Sequence, residues 1–426
     1  MRSLTVSPSK TNGSIFIPPS KSHTLRAIFF SIMASGVSHI ENYLDSPDTD
    51  AMIEAAQALG AGIRKEEGSL YIKGTGGDLA PLNRMIDAGN SGQVLRFIGA
   101  LSALIPSCTT ITGDPSIKIL RTVQPLIDAL NQLGGNAYSL EGNGHAPLIV
   151  QGPIEPGIAS LCGKDSQPVS AMLMACSFLK GTTVIEVTDP GETPWIDLTL
   201  YWLRKLKLGY KTEGHHRFIL DGHGHYPGFH VKIPGDFSSA AFPIAAALIT
   251  RSELTLENLD RHDVQGDKKL IDILIQMGGN LSWQSDSILS IKQGSAMQGM
   301  VIDINDCIDA LPILAVIGCY AQGVTHITNA AIARKKESDR ICSITKELRK
   351  MGGIIEEFED GMKIYPCPLK GAVLKSHRDH RIAMALAVGA LSAEGSSCIQ
   401  EVECINKTYK QFCKDFQNIG CEIKEI

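Results

Sequence analysis

Six short polar clusters in the 426-residue chain carry residue types suited to binding anions. They are Ser20-Lys21-Ser22, Asn90-Ser91-Gly92, Asp165-Ser166-Gln167, Asp236-Phe237-Ser238-Ser239, Asp309 by itself, and Asp379-His380-Arg381. Each opens an almost wholly apolar stretch. Ser, Asn and Asp suit a helix N-terminus, where a side-chain oxygen accepts from an orphan N–H, and capping alone explains them. It does not explain Lys21, Arg26, Arg96 and Arg381 in or beside the same clusters. A cation there opposes the helix macrodipole and is tolerated chiefly where an anion lies between. Lys and Arg on an apolar helix are also costly unless paired. The chemistry these residues suit is recognition of small, multiply charged anions.

The elements that must position them repeat. The apolar stretches 24–35, 93–104, 169–179, 240–249, 311–320 and 382–391 read as helices buried on all sides. Out of phase with them, six amphipathic helices end in an apolar residue and glycine: Leu59-Gly60, Leu133-Gly134, Leu208-Gly209, Met277-Gly278, Met351-Gly352 and Ile419-Gly420. These endings recur 68 to 75 residues apart, and glycine suits them because a helix commonly stops at a positive φ. Alternating stretches such as 62–73 and 354–365 then read as hairpins. The last repeat runs out of chain at Ile426, so the N-terminus is expected to supply its missing strand. An α/β fold of six repeats follows, each with two helices and a small sheet. Ile17-Pro18-Pro19-Ser20 and Ile233-Pro234-Gly235-Asp236 look like chain crossings. They predict one three-repeat domain over 1–18 plus 234–426, another over 19–233, and an interdomain cleft that collects the helix N-termini.

Bulk properties exclude several classes. A net charge of −5 and a pI near 6.2 leave no general basic face for nucleic acid. Residues 1–10 lack the apolar core of a signal peptide, and no apolar run is long enough to span a bilayer. The eleven cysteines show no C-x-x-C spacing and read as reduced thiols in a cytoplasmic protein. His215, His216, His223, His225 and His230 crowd one stretch, but a hairpin would split them between faces. They read as surface histidines, and no metal is expected.

Pro19-Ser20-Lys21-Ser22-His23-Thr24-Leu25-Arg26 resembles the lysine-serine signature of the 5-enolpyruvylshikimate-3-phosphate (EPSP) synthase family. Further matches follow in order: Gly89-Asn90-Ser91-Gly92 with Arg96, Ser166-Gln167, Pro234-Gly235-Asp236-Phe237-Ser238-Ser239-Ala240-Ala241, Lys336-Glu337-Ser338-Asp339-Arg340, Asp379-His380-Arg381 and Lys407. The resemblance implies a two-domain inside-out α/β barrel. It implies transfer of the enolpyruvyl group of phosphoenolpyruvate to the 5-hydroxyl of shikimate 3-phosphate, with release of phosphate and without metal or organic cofactor. It also implies a cytoplasmic monomer, a glyphosate target, and no nucleic-acid or membrane partner. Carried over residue by residue, Lys21, Gly92, Arg121, Gln167, Arg340, Arg381 and Lys407 surround phosphoenolpyruvate. Ser22, Arg26, Ser166, Gln167, Asp309 and Lys336 hold shikimate 3-phosphate, and Lys21 touches both. The reaction needs a carboxylate near the hydroxyl and an acid near the methylene; Asp309 is expected in the first role and Glu337, with Lys21, in the second.

Some positions depart from the family pattern. Gln93 stands where threonine is usual. Asp165 and Glu192 stand where phosphate-binding serines often lie, and two carboxylates repel a phosphate unless turned away or paired. Arg121 matches only with one residue inserted after Gly113-Asp114, and Trp195 stands where a tyrosine is expected. Asp309 alone also reads as an N-cap, and His377 and Arg378 as solvated neighbours. His380 reads as orienting the residues beside it. Two other readings remain: a transferase acting on UDP-N-acetylglucosamine, and a repeat protein that binds an anionic partner without catalysis.

Overall fold

The computed structural model describes residues 2–426. The chain divides into two compact units, one formed by Pro234–Ile426 with the N-terminal segment through Pro19, the other by Ser20–Ile233. Among the described residues each unit has three four-stranded sheets and three buried apolar helices. One plan serves every sheet. Met85–Asp87 and Cys108–Thr112 pair in parallel on either side of the buried helix Gly92–Ser102, and the hairpin Asn136–Ser139 and Leu148–Gln151 adds two antiparallel strands.

The two crossings modify this plan. Ser14–Phe16 precedes the helix Lys21–Met33 in the chain, yet pairs in parallel with Leu254–Glu257. His230–Lys232 precedes the helix Phe237–Ile249, yet pairs in parallel with Val37–Glu41. Each crossing therefore leaves its strand behind in the unit it came from. Ser3–Val6 lies between Ser397–Gln400 and Ile423–Glu425 and completes the last sheet.

The buried helices are Lys21–Met33, Gly92–Ser102 and Ser166–Cys176 in one unit, and Phe237–Ile249, Leu311–Tyr320 and His380–Ala390 in the other. Five start before the apolar stretch that announces them. Ser20, Ser91, Asp165, Asp236 and Asp379 occupy their N-caps, each accepting a backbone N–H from the first turn. Such a cap contributes about 1 kcal/mol, and it draws the following polar residues into the first helical turn. The sixth differs. Ala310 stands at the N-cap of Leu311–Tyr320 without a side-chain bond, so Asp309 is not a cap; it lies in the 3-10 turn Asn305–Ala310.

Gly60, Gly134, Gly278, Gly352 and Gly420 have the positive φ expected at a helix stop. The third repeat departs from this pattern. After the helix Thr193–Lys205 the left-handed residue is Lys207, at φ 58°, two residues before Gly209. Gly209 is needed for another reason, since a Cβ there would collide with the Asp221 carboxylate. No described helix is long and apolar enough to cross a membrane, and all eleven cysteines are free thiols.

Candidate active site

In the unit containing the C-terminus, the charged residues gather around one guanidinium. Arg340 opens the helix Arg340–Lys350, capped by Asp339, and is only 1% exposed. Its three nitrogens reach three carboxylates: Nη1 to Asp309 Oδ1 at 2.5 Å, Nη2 to Glu337 Oε2 at 2.8 Å and Nε to Asp379 Oδ2 at 2.8 Å. Asp379 also accepts from Ser338 Oγ and caps the His380–Ala390 helix through the Arg381 N–H. Arg381 Nη2 lies 2.8 Å from Asp309 Oδ2, and Lys407 Nζ lies 2.9 Å from Glu337 Oε1. Each proposed acid–base carboxylate is thus held between two cations.

Burial acts to raise the Asp309 carboxyl, but Arg381, Arg340 and Lys336 outweigh it and hold the group well below the usual carboxylate range. Asp267 behaves oppositely. It is 1% exposed in the turn Gly266–Lys268 and accepts a hydrogen bond from Ser238 Oγ. Burial, with the nearby Asp309 charge, pushes its carboxyl up to about 7. Two acidic groups with pKa values driven apart are a recurrent arrangement at sites of proton transfer.

In the Ser20–Ile233 unit, Lys21 lies in the first turn of its helix, with Nζ 3.6 Å from Asp48 Oδ2. Ser22 Oγ accepts from Gln93 Nε2 at 3.2 Å, which joins the first and second polar clusters. Arg96 donates to Gln167 Oε1 at 2.8 Å and to the Thr122 carbonyl, and pairs with Asp165 at 2.8 Å. A Cβ on Gly92 would come within 2.8 Å of Arg96 Nη1 and 3.0 Å of Gln167 Oε1, and closer still to Arg121 Nη1. Gly92, Arg121 and Gln167 therefore surround one small volume, and glycine is the residue that leaves it open.

Arg26 is 1% exposed, and its donors meet neutral acceptors: Thr199 Oγ1, Ser170 Oγ and the carbonyls of Ser22 and Trp195. Burial pulls its pKa down to about 9. An anion arriving near Ser22 would supply the opposite charge this guanidinium lacks among those contacts. The Trp195 carbonyl also accepts from Ser170 and Thr199, so its backbone helps to anchor Arg26.

The two unexpected carboxylates are accounted for by geometry. Asp165 caps Ser166–Cys176 through the Gln167 N–H and turns its other oxygen onto Arg96. Glu192 is 2% exposed at a left-handed φ of 49°, with Oε2 accepting from the Ser166 N–H at 3.4 Å. Asp165 pairs with Arg96, and Glu192 lies at the N-terminal end of the helix that carries Ser166 and Gln167.

One other residue differs from its sequence reading. His377 is no solvated neighbour, because its Nε2 meets the buried Glu347 at 2.8 Å; Arg378 is exposed. His380 is 1% exposed, with Nδ1 3.8 Å from Asp379 Oδ1. Of the five clustered histidines, only His230 joins a set of convergent ligand atoms, and its partners are His39 and Glu41. Asp379 and Asp267 were not assigned from sequence. Asp379 lay within the Asp-His-Arg motif, whereas nothing local marked Asp267.

The chain is similar to known proteins along nearly its whole length. The family model for EPSP synthase (3-phosphoshikimate 1-carboxyvinyltransferase) matches residues 6–416. A 3-phosphoshikimate 1-carboxyvinyltransferase of Chlamydia caviae is 44% identical over 423 residues, covering 99% of this chain and 94% of the relative. One from Acetivibrio thermocellus is 40% identical, with 99% of both chains covered. The solved EPSP synthase of Acinetobacter baumannii superposes with a TM-score of 0.85 at 27% identity, covering all of both chains. The six-repeat architecture is thus the inside-out α/β fold of these enzymes, buried helices within and sheets without. With likeness running the whole length of the chain and the charged helix starts in place, this protein belongs to the EPSP synthase (3-phosphoshikimate 1-carboxyvinyltransferase) family.

Proposed function

We infer that this chain transfers the carboxyvinyl group of phosphoenolpyruvate to the 5-hydroxyl of shikimate 3-phosphate and releases phosphate. The observation that carries this reading is the Arg340 guanidinium shared by Asp309 and Glu337, with Arg381 and Lys407 on their far sides. Such a group can bind a phosphate and a carboxylate bidentately and keep two proton-transfer groups beside them.

In this reading Arg340, Arg381 and Lys407 act with Lys21, Gly92, Arg121 and Gln167 on phosphoenolpyruvate. Ser22, Arg26, Ser166, Gln167, Asp309 and Lys336 act on shikimate 3-phosphate. The hydroxyl oxygen forms a bond to the central carbon of phosphoenolpyruvate while Asp309 receives its proton. Glu337, with Lys21, gives a proton to the methylene carbon, which becomes a methyl group in a tetrahedral intermediate. The methyl then returns a proton as the carbon–oxygen bond to phosphate breaks, restoring the vinyl double bond.

Asp309 is a weak base while Arg340 and Arg381 hold it ionised. Phosphoenolpyruvate bound to those arginines partly neutralises them and makes Asp309 more basic when the hydroxyl arrives. The reading extends to action as a cytoplasmic monomer, and light scattering on the purified protein checks the oligomeric state.

The deciding experiment measures phosphate release from phosphoenolpyruvate with each acceptor. Release with shikimate 3-phosphate and none with UDP-N-acetylglucosamine is expected. The reverse result would move the chain to the sugar-nucleotide transferases, and release with neither would leave a binding protein.

A further inference from the structure

The sheet formed by His230–Lys232, Val37–Glu41, Ser69–Lys73 and Gly62–Glu66 carries a row of stacked side chains unrelated to the polar helix starts. His230, His39, Tyr71 and Arg64 are register partners on neighbouring strands. His230 and His39 stack at 4.9 Å between ring centroids, His39 and Tyr71 at 4.3 Å, and Arg64 lies 4.4 Å over Tyr71. Glu41 is two residues beyond His39 on the same strand face. Its Oε1 lies 2.8 Å from His230 Nε2 and 3.8 Å from His39 Nδ1.

We propose that His39, His230 and Glu41 form a binding site for a divalent transition-metal ion, Zn2+ by the chemistry of the ligands. The three ligand atoms all lie within 4.8 Å of one another, so modest side-chain rotations bring them to about 2 Å from a common ion. Two imidazoles and a carboxylate suit zinc, with water completing the coordination. The outer contacts favour the arrangement. His39 turns Nε2 to Ser69 Oγ at 3.3 Å, which leaves Nδ1 toward Glu41.

Lys232 is the register partner of Glu41, and the Arg64 charge is answered by Glu66 at 2.7 Å. The ligands are half-buried to exposed, so an ion held there exchanges with solvent. Its consequence is mechanical. His230–Lys232 is a three-residue strand at the sheet edge, paired only with Val37–Glu41, and the chain leaves the unit directly after it. A metal held by His230 and two residues of the neighbouring strand pins that edge.

The test uses intact, tag-free protein stripped with EDTA. Titration with Zn2+ followed by calorimetry should show one ion bound per chain. His39→Ala, His230→Ala and Glu41→Gln should each weaken binding by at least about tenfold. Zn2+ should raise the thermal midpoint of the wild type and leave that of His230→Ala unchanged. Co2+ in place of Zn2+ should give visible bands without a thiolate charge-transfer band, which separates this site from the eleven cysteines. Absence of binding heat, affinity unchanged in all three variants, or a thiolate band would each overturn the assignment. Turnover by the His230→Ala enzyme, equal to wild type, shows that a lost metal signal is not a lost fold.

Discussion

Asp309 accepts a 2.5 Å hydrogen bond from Arg340, a residue 31 positions further along the chain and almost wholly buried. Against the effect of burial, the charges of Arg381, Arg340 and Lys336 hold the carboxylate ionised, and the bond ties a proposed proton acceptor to a proposed phosphate ligand. Asp309→Asn keeps the shape and removes the charge. It should lower kcat about 100- to 10,000-fold, as expected for loss of a general base, with a much smaller change in KM for phosphoenolpyruvate. Steady-state phosphate release measures both. Near-wild-type turnover in Asp309→Asn and in Glu337→Gln would dismantle the acid–base scheme.

Gly92 is the point where a single methyl group should be felt by three side chains at once. A Cβ there runs into Arg121 and crowds Arg96 and Gln167. Overpacking of this kind costs about 1–3 kcal/mol, but here the strain falls on movable side chains that are proposed to bind substrate. Gly92→Ala should therefore reduce kcat/KM for phosphoenolpyruvate by roughly tenfold or more, with little change in thermal stability. An unaltered KM would show that Arg121 relaxes without moving from its ligand.

Glu192 puts a carboxylate on the N–H of Ser166, at a helix end where the proposed acceptor phosphate would otherwise meet a favourable dipole. Glu192→Gln removes the repulsion and keeps an oxygen able to accept that N–H. KM for shikimate 3-phosphate should fall by about fivefold, equivalent to roughly 1 kcal/mol. The same change at Asp165 should not help, because it would also weaken the ion pair that holds Arg96. A rise in KM for Glu192→Gln would instead mean that Glu192 positions Ser166 productively.

These sites differ in how far they could be read from sequence. Caps are local, so Ser20, Ser91, Asp165, Asp236 and Asp379 were visible as oxygen-bearing residues before apolar runs. Glycine stops were visible for the same reason, except where Lys207 took the left-handed position. Asp309 was ambiguous because its partners come from other repeats, and no spacing rule links it to Arg381. The Gln93–Ser22 bond, 71 residues apart, was hidden likewise. Fold followed from periodicity, whereas the pairing of charges required the packed structure.

Asp267 lies where pH dependence should reveal that packing. Burial first, and then the Asp309 charge, lift its carboxyl to about 7, so the folded state retains a proton there. In the unfolded chain the same carboxyl titrates near about 3.9. Between those values the folded protein binds more protons than the unfolded one, and its stability falls as pH rises. The loss is complete above about pH 7 and absent below about pH 4. Asp267→Asn abolishes this titration and can still accept from Ser238. The variant should gain about 2–4 kcal/mol relative to wild type on going from pH 4 to pH 8. Thermal or urea unfolding of both proteins across that range provides the measurement. Parallel stability curves would mean that Asp267 is already ionised in the folded protein, with Arg381 rather than a proton balancing its charge.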